Sequence, residues 1–99
     1  MKYIYIKNYV KLTPKQKNDF LDLIDSRVQY FKVEKHEIVL GEESIVLEFK
    51  KESDMKIAYI NFQEFFKNIE TISVYIVRKT IENDTTILTF KDLNKRIRV

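Results

Sequence analysis

The stretch 2–11, KYIYIKNYVK, decides how the rest of the chain must be arranged. Its residues alternate in character, so an extended backbone puts Ile4 and Ile6 on one face and Tyr3, Tyr5 and Lys7 on the other. The isoleucine face needs a core to pack on. The tyrosine face is either a surface that grips a partner or stacks bases, or a second face covered by a neighbouring element. The sequence favours Ile4 and Ile6 inward, with the tyrosines partly exposed.

Downstream, LTPKQ at 12–16 has the chemistry of a helix start. Thr13 is placed to cap, Pro14 occupies the first helical position, and Gln16 can close a capping box. A helix is expected over about 14–27, with Phe20, Leu21, Leu23 and Ile24 as its apolar stripe and Lys15, Asp19, Asp22 and Asp25 toward water.

From Val28 to Leu40 the residues are strand formers, and the only glycine interrupts them in LGEES, 40–44. A two-residue turn at Gly41 and Glu42 sets Lys35 against Glu48 and Ile38 against Ile45, whereas a four-residue loop would set Glu37 against Glu48 and Lys35 against Lys50. Charge pairing selects the tight turn. SIVLEFK at 44–50 reads as a half-buried strand, KESD at 51–54 as a turn, and MKIAYIN at 55–61 as a further strand of the meander. Asn61 and Glu64 are expected to open a second helix whose Phe62, Phe65, Phe66 and Ile69 face the core. Two more strands, at 71–80 and 85–91, flank a turn in which Asn83 and Asp84 tolerate left-handed backbone. The end, KDLNKRIRV, is a short helical turn or an edge strand. The expected order is β-α-β-β-β-α-β-β, an α+β fold in one domain spanning 1–99, mainly an antiparallel sheet with two helices packed on it.

At 99 residues, 44% of them hydrophobic and 33% charged, the chain has the bulk to build one core and is not a disordered sequence. The absence of cysteine excludes disulfides, thiolate metal sites and a cysteine nucleophile. Lys2, Lys7 and Lys11 break any apolar leader, and no run is long enough to cross a bilayer, so a soluble cytoplasmic protein with no membrane partner is expected. The net charge of +3 is local: Lys91, Lys95, Arg96 and Arg98 against Asp92 account for all of it, leaving the rest neutral. Lys, Ile, Asn, Phe and Tyr, whose codons are A/T-rich, make up 46 of the 99 residues, pointing to an AT-rich coding genome, as in many small phage and mobile-element proteins and equally in ordinary proteins of AT-rich bacteria and archaea.

No arrangement of side chains names a reaction. Asp19, Asp22 and Asp25 drift around their helix beside Lys15, Lys17 and Arg27 and read as a solvated face. His36, the only histidine, cannot build a usual zinc site without cysteine, and Glu42, Glu43, Glu52 and Asp54 are expected at hairpin tips, too loosely held for acid–base work. A single glycine excludes phosphate-cradling loops. No enzyme activity and no cofactor are expected. The leading expectation is a protein-interaction module whose anchors are Tyr3, Tyr5, Lys7 and Tyr9, drawn from a pool that includes Tyr30, Tyr59 and Tyr75. A stoichiometric inhibitor or adaptor of the anti-CRISPR kind, or a homodimer, would use such a surface. The alternative is a nucleic-acid binder contacting phosphates through Lys91, Lys95, Arg96 and Arg98, with surface tyrosines to stack on bases.

Overall fold

In a computed structural model, which describes residues 2–26, 33–39, 43–91, 93 and 95–98, the capping box forms as its spacing predicts. The Thr13 N–H donates to Gln16 Oε1 (2.8 Å) and the Gln16 N–H donates to Thr13 Oγ1 (3.1 Å). This starts helix α1, Pro14–Ser26. Before it, strand β1, Tyr3–Lys7, ends at Asn8, whose φ of 64° turns the chain into a single 3-10 turn at Tyr9–Lys11. The same Asn8 donates from Nδ2 to the Thr71 carbonyl (2.9 Å), tying this bend to the approach of a later strand.

Strands β2, Val33–Val39, and β3, Ser44–Phe49, pair antiparallel with Lys35 opposite Glu48 and Ile38 opposite Ile45, the register that charge pairing selects. Gly41 and Glu42 lie outside the described residues, as do Val28, Tyr30 and Leu40. Strands β4, Ser73–Glu82, and β5, Thr85–Phe90, form a hairpin closed by Asn83 and Asp84, both left-handed at φ 50° and 62°. Such a two-residue turn matches the twist of the strands it joins. A three-residue edge strand, β6 (Arg96–Arg98), pairs with β5.

Residues 51–61 differ from expectation. The turn and strand anticipated there are the first two-thirds of helix α2, Glu52–Phe66, so the element order is β-α-β-β-α-β-β-β. Asn61 is therefore not a cap but a mid-helix residue whose Nδ2 donates to the Ile57 carbonyl (2.8 Å). Likewise Glu52 and Asp54 stand in the helix's first turn, where their charge complements the backbone dipole. Met55, Ala58, Phe62 and Phe66 all come to one face at helical spacing and all are buried. Ala58, the only alanine in the chain, lets the helix lie close to the strands beneath it.

The sheet runs β2-β3-β1-β4-β5-β6 with every neighbouring pair antiparallel. β1 lies between β3 and β4, which α2 connects. On the helix side Ile4, Ile6, Ile45, Leu47, Phe49 and Val74 pack with Phe20 of α1 and the buried face of α2. Phe20 is the hinge of this layer, its ring centroid 5.0 Å from Phe62, 5.1 Å from Phe66 and 5.8 Å from Tyr9. The architecture is α+β, an antiparallel sheet with its two helices on one face. No helix among the described residues is long and apolar enough to cross a membrane.

The helix and strand assignments for 55–61 separate cleanly by mutation. In a strand Ala58 and Ile60 would share a face and respond alike; in α2 they oppose each other, Ala58 fully buried and Ile60 69% exposed. Ala58→Leu is expected to lose about 1–3 kcal/mol by overpacking. Ile60→Glu should stay within about 0.5 kcal/mol of the parent. Urea denaturation of the two variants measures both.

Candidate functional site

Because β1 has a strand on either side, its second face is also lined by apolar neighbours. Tyr5 sits across from Val46 of β3 and Tyr75 of β4, and beyond them Val77 faces Phe90. Tyr5, Val46, Val77, Leu88 and Phe90 form a second buried cluster composed of strand residues alone, with Tyr3, Tyr75 and Ile97 packed around it. Phe90 is the centre of its aromatic part, meeting Tyr5 edge-on at 5.0 Å and Tyr75 at 5.2 Å. Such tilted contacts set the electropositive rim of one ring against the face of the other.

This arrangement corrects the expected anchors. Ile4 and Ile6 point inward as anticipated, but Tyr5 is only 3% exposed, buried under its own cross-strand neighbours. Tyr9 is buried on the helix side against Phe20, because the turn after Asn8 carries it off the strand's alternation. Of the four residues, Tyr3 stays half-buried and Lys7 exposed. Tyr59 belongs to the helix-side core and Tyr75 to the helix-free cluster. What the sequence did not single out is Ile81, on the same sheet face as Val77 and Lys79 and 71% exposed near the β4–β5 turn. Lys79 lies over the Tyr3 ring, 5.8 Å from its centroid. The helix-free face thus offers a buried aromatic floor ringed by Tyr3, Tyr75, Lys79, Ile81 and Ile97.

The basic C-terminal residues do not gather at one point. Lys95 lies 5.5 Å from the Phe90 ring centroid, and its carbonyl accepts from the Phe90 N–H (3.0 Å). Arg96 reaches across the helix side of the sheet to Glu82, Nη2 to Oε1 at 3.0 Å. Arg98 is exposed, with its Cα opposite Ile87, and Lys91 is exposed just past the end of β5.

Elsewhere, Asp19 pairs with Lys15 (3.0 Å), and Glu43 pairs with Lys11 (3.2 Å). His36 takes its place in β2 opposite Leu47. Among the described residues, no group of three or more His, Cys, Asp or Glu could hold a metal ion. A cleft of about 280 Å³ opens at one end of β1 and β3, lined by Lys2, Tyr3, Glu48, Phe49 and Lys50. It is at the small end of the range for small-molecule sites, and three of its five lining side chains are charged, whereas such sites are mostly apolar. No protein-family model, curated protein or solved structure matches the chain.

Two measurements check this placement. Tyr5→Ala should cost about 3–5 kcal/mol in denaturant, as for other buried aromatic deletions, and Tyr3→Ala distinctly less. Burial pushes the Tyr9 phenol above its ordinary value of 10.0. The folded chain then keeps a proton that the unfolded chain releases near 10, a contribution complete below that pH and lost as pH rises through the higher folded value. Tyr9→Phe should therefore flatten part of the alkaline fall in stability.

Proposed function

We propose that the chain is a non-enzymatic protein-interaction module that docks a partner on the helix-free face of its sheet. The observation that carries this reading is the aromatic and aliphatic ring of Tyr3, Tyr75, Lys79, Ile81 and Ile97 around a rigid buried floor, with Ile81 the most exposed large apolar side chain in the described structure. Tyrosine with an apolar neighbour and a flanking cation is the composition that concentrates binding energy at protein interfaces. Because the floor is already packed, a partner would meet preformed side chains and forgo most of the ordering cost that weakens flexible surfaces. The half-buried Tyr3 and exposed Lys7 remain in this surface and Tyr5 supports it from beneath, whereas Tyr9 lies in the core on the opposite, helix side.

The biological setting we propose is the cytoplasm, the host's if the chain is phage-encoded. There the module acts as a stoichiometric inhibitor of a host defence complex, of the anti-CRISPR kind, in keeping with its small size and AT-rich coding bias. A second copy of the chain is the other occupant the face would accept, giving a homodimer through like surfaces.

Ile81→Asp combined with Lys79→Glu alters only the outer ring of this surface. Immobilised parent protein should capture a stoichiometric partner from host lysate, and the double variant should capture it at least about tenfold more weakly with an unchanged melting curve. Equal capture by both proteins would overturn the assignment. Expression in a bacterium with active CRISPR immunity should raise phage plating, and the double variant should not; sedimentation velocity of the pure protein reports the dimer.

A further inference from the structure

The opposite side of the sheet's outer flank has a different chemistry. The registers put Arg78, Thr89 and Arg96 in one row across β4, β5 and β6, and Thr80, Ile87 and Arg98 in the next. Adjacent strands lie about 4.8 Å apart and alternate residues about 6.8 Å apart, so the arginine Cα positions form a grid with sides of roughly 10 and 7 Å. Lys91, whose N–H donates to the Ile76 carbonyl (3.0 Å), extends it by one position. Arg78, Lys91, Arg96 and Arg98 are exposed, Thr80 and Thr89 half-buried. α2 packs on β1, β3 and β4, toward the middle of the sheet.

We propose that this three-strand surface binds the phosphate backbone of nucleic acid through Arg78, Arg98 and Lys91, and that Glu82 restrains it by holding Arg96. It is separate from the helix-free face, and its success or failure is independent of the protein-docking reading. Charge complementarity selects the occupant. Cations recur both along and across a rigid sheet, matching a polymer that carries a negative charge at fixed intervals. No aromatic ring lies in either row, so bases have nothing to stack on and contact is to phosphate, without sequence preference. Arginine's fork can grip phosphate oxygens in pairs, and the threonine hydroxyls supply further donors.

Glu82 sets the strength of this surface. Its carboxylate takes Arg96 Nη2 at 3.0 Å although Arg96 is registered beside Thr89 and Glu82 beside Thr85. The line from Arg96 to Glu82 therefore crosses β5 at the position of Ile87, which is 3% exposed. The pair bridges β6 to the β4–β5 hairpin and engages one cation of the phosphate surface.

Fluorescence anisotropy of a labelled duplex of about 20 base pairs, titrated with the full chain, tests the proposal. Three phosphate contacts give a log–log salt slope of about −2.7, so affinity should fall about 40-fold between about 50 and 200 mM salt. Arg78→Gln with Arg98→Gln should weaken binding at least about tenfold at the lower salt, while Lys17→Gln on α1 should leave it unchanged. Glu82→Gln should tighten binding severalfold by releasing Arg96. Circular dichroism melts confirm that each variant is folded, and Glu82→Asp, which keeps the charge, should bind like the parent if the fold of β6 is intact. No binding at the lower salt, equal binding by the double arginine variant, or no gain from Glu82→Gln would overturn it. Capture of a labelled polyglutamate peptide in place of the duplex would overturn the choice of nucleic acid.

Discussion

A strand paired on both edges and buried on both faces must be covered from every side, and the centre of β1, Ile4, Tyr5 and Ile6, is such a stretch. Its edges are taken by β3 and β4, its isoleucines by the helix layer, and Tyr5 by the strand cluster behind. Each other element answers to one of these demands. α1 and α2 exist as a layer because Ile4 and Ile6 need cover, and β4 and β5 bring Tyr75 and Phe90 to Tyr5. The fold is two thin cores sharing one strand, with Tyr5 and Ile4 back to back in adjacent positions.

Much of this was legible from local chemistry. Thr13 and Gln16 are three residues apart and bond reciprocally; Asn83 and Asp84 tolerate the left-handed backbone they adopt; the charges of Lys35 and Glu48 select the observed register. These are contacts between residues close in sequence or across one turn. The misread segment 51–61 offered no such signal. Lys51, the residue at the N-cap of α2, has no side-chain cap hydrogen bond, and Ile57, Ala58, Tyr59 and Ile60 form a continuous apolar run in which neither period dominates. Ile57 and Ile60 favour strand by intrinsic preference, and packing of Met55, Ala58 and Phe62 on the sheet overrides it.

The surfaces were less legible than the elements. Alternation correctly divided Ile4 from Tyr5 but could not reveal that the tyrosine side is roofed by residues 40 to 85 positions away. Likewise, the basic tail was visible in composition, yet the row that joins Arg78 to Arg96 depends on two registers. The ion pair from Glu82 to Arg96 likewise joins residues 14 positions apart. Ile81 stands next to the β4–β5 turn on the helix-free face, opposite Thr86, a placement that depends on the β4–β5 register.

The central position of β1 also governs how the chain reaches its fold. Tyr5 pairs with Val46 and Tyr75, so inserting this one strand closes loops of about 40 and 70 residues, while β4 and β5 meet across a two-residue turn. Loop-closure entropy rises with the logarithm of length, and chains dominated by distant pairings fold slowly. The β4–β5 hairpin can form early and cheaply, whereas docking β1 between β3 and β4 is the slow, cooperative event. Until it happens, both edges that β1 will occupy stay open to pairing with other chains. The strand that organises the native state is thus also its point of kinetic exposure, and crowded expression would test the chain there before any partner does.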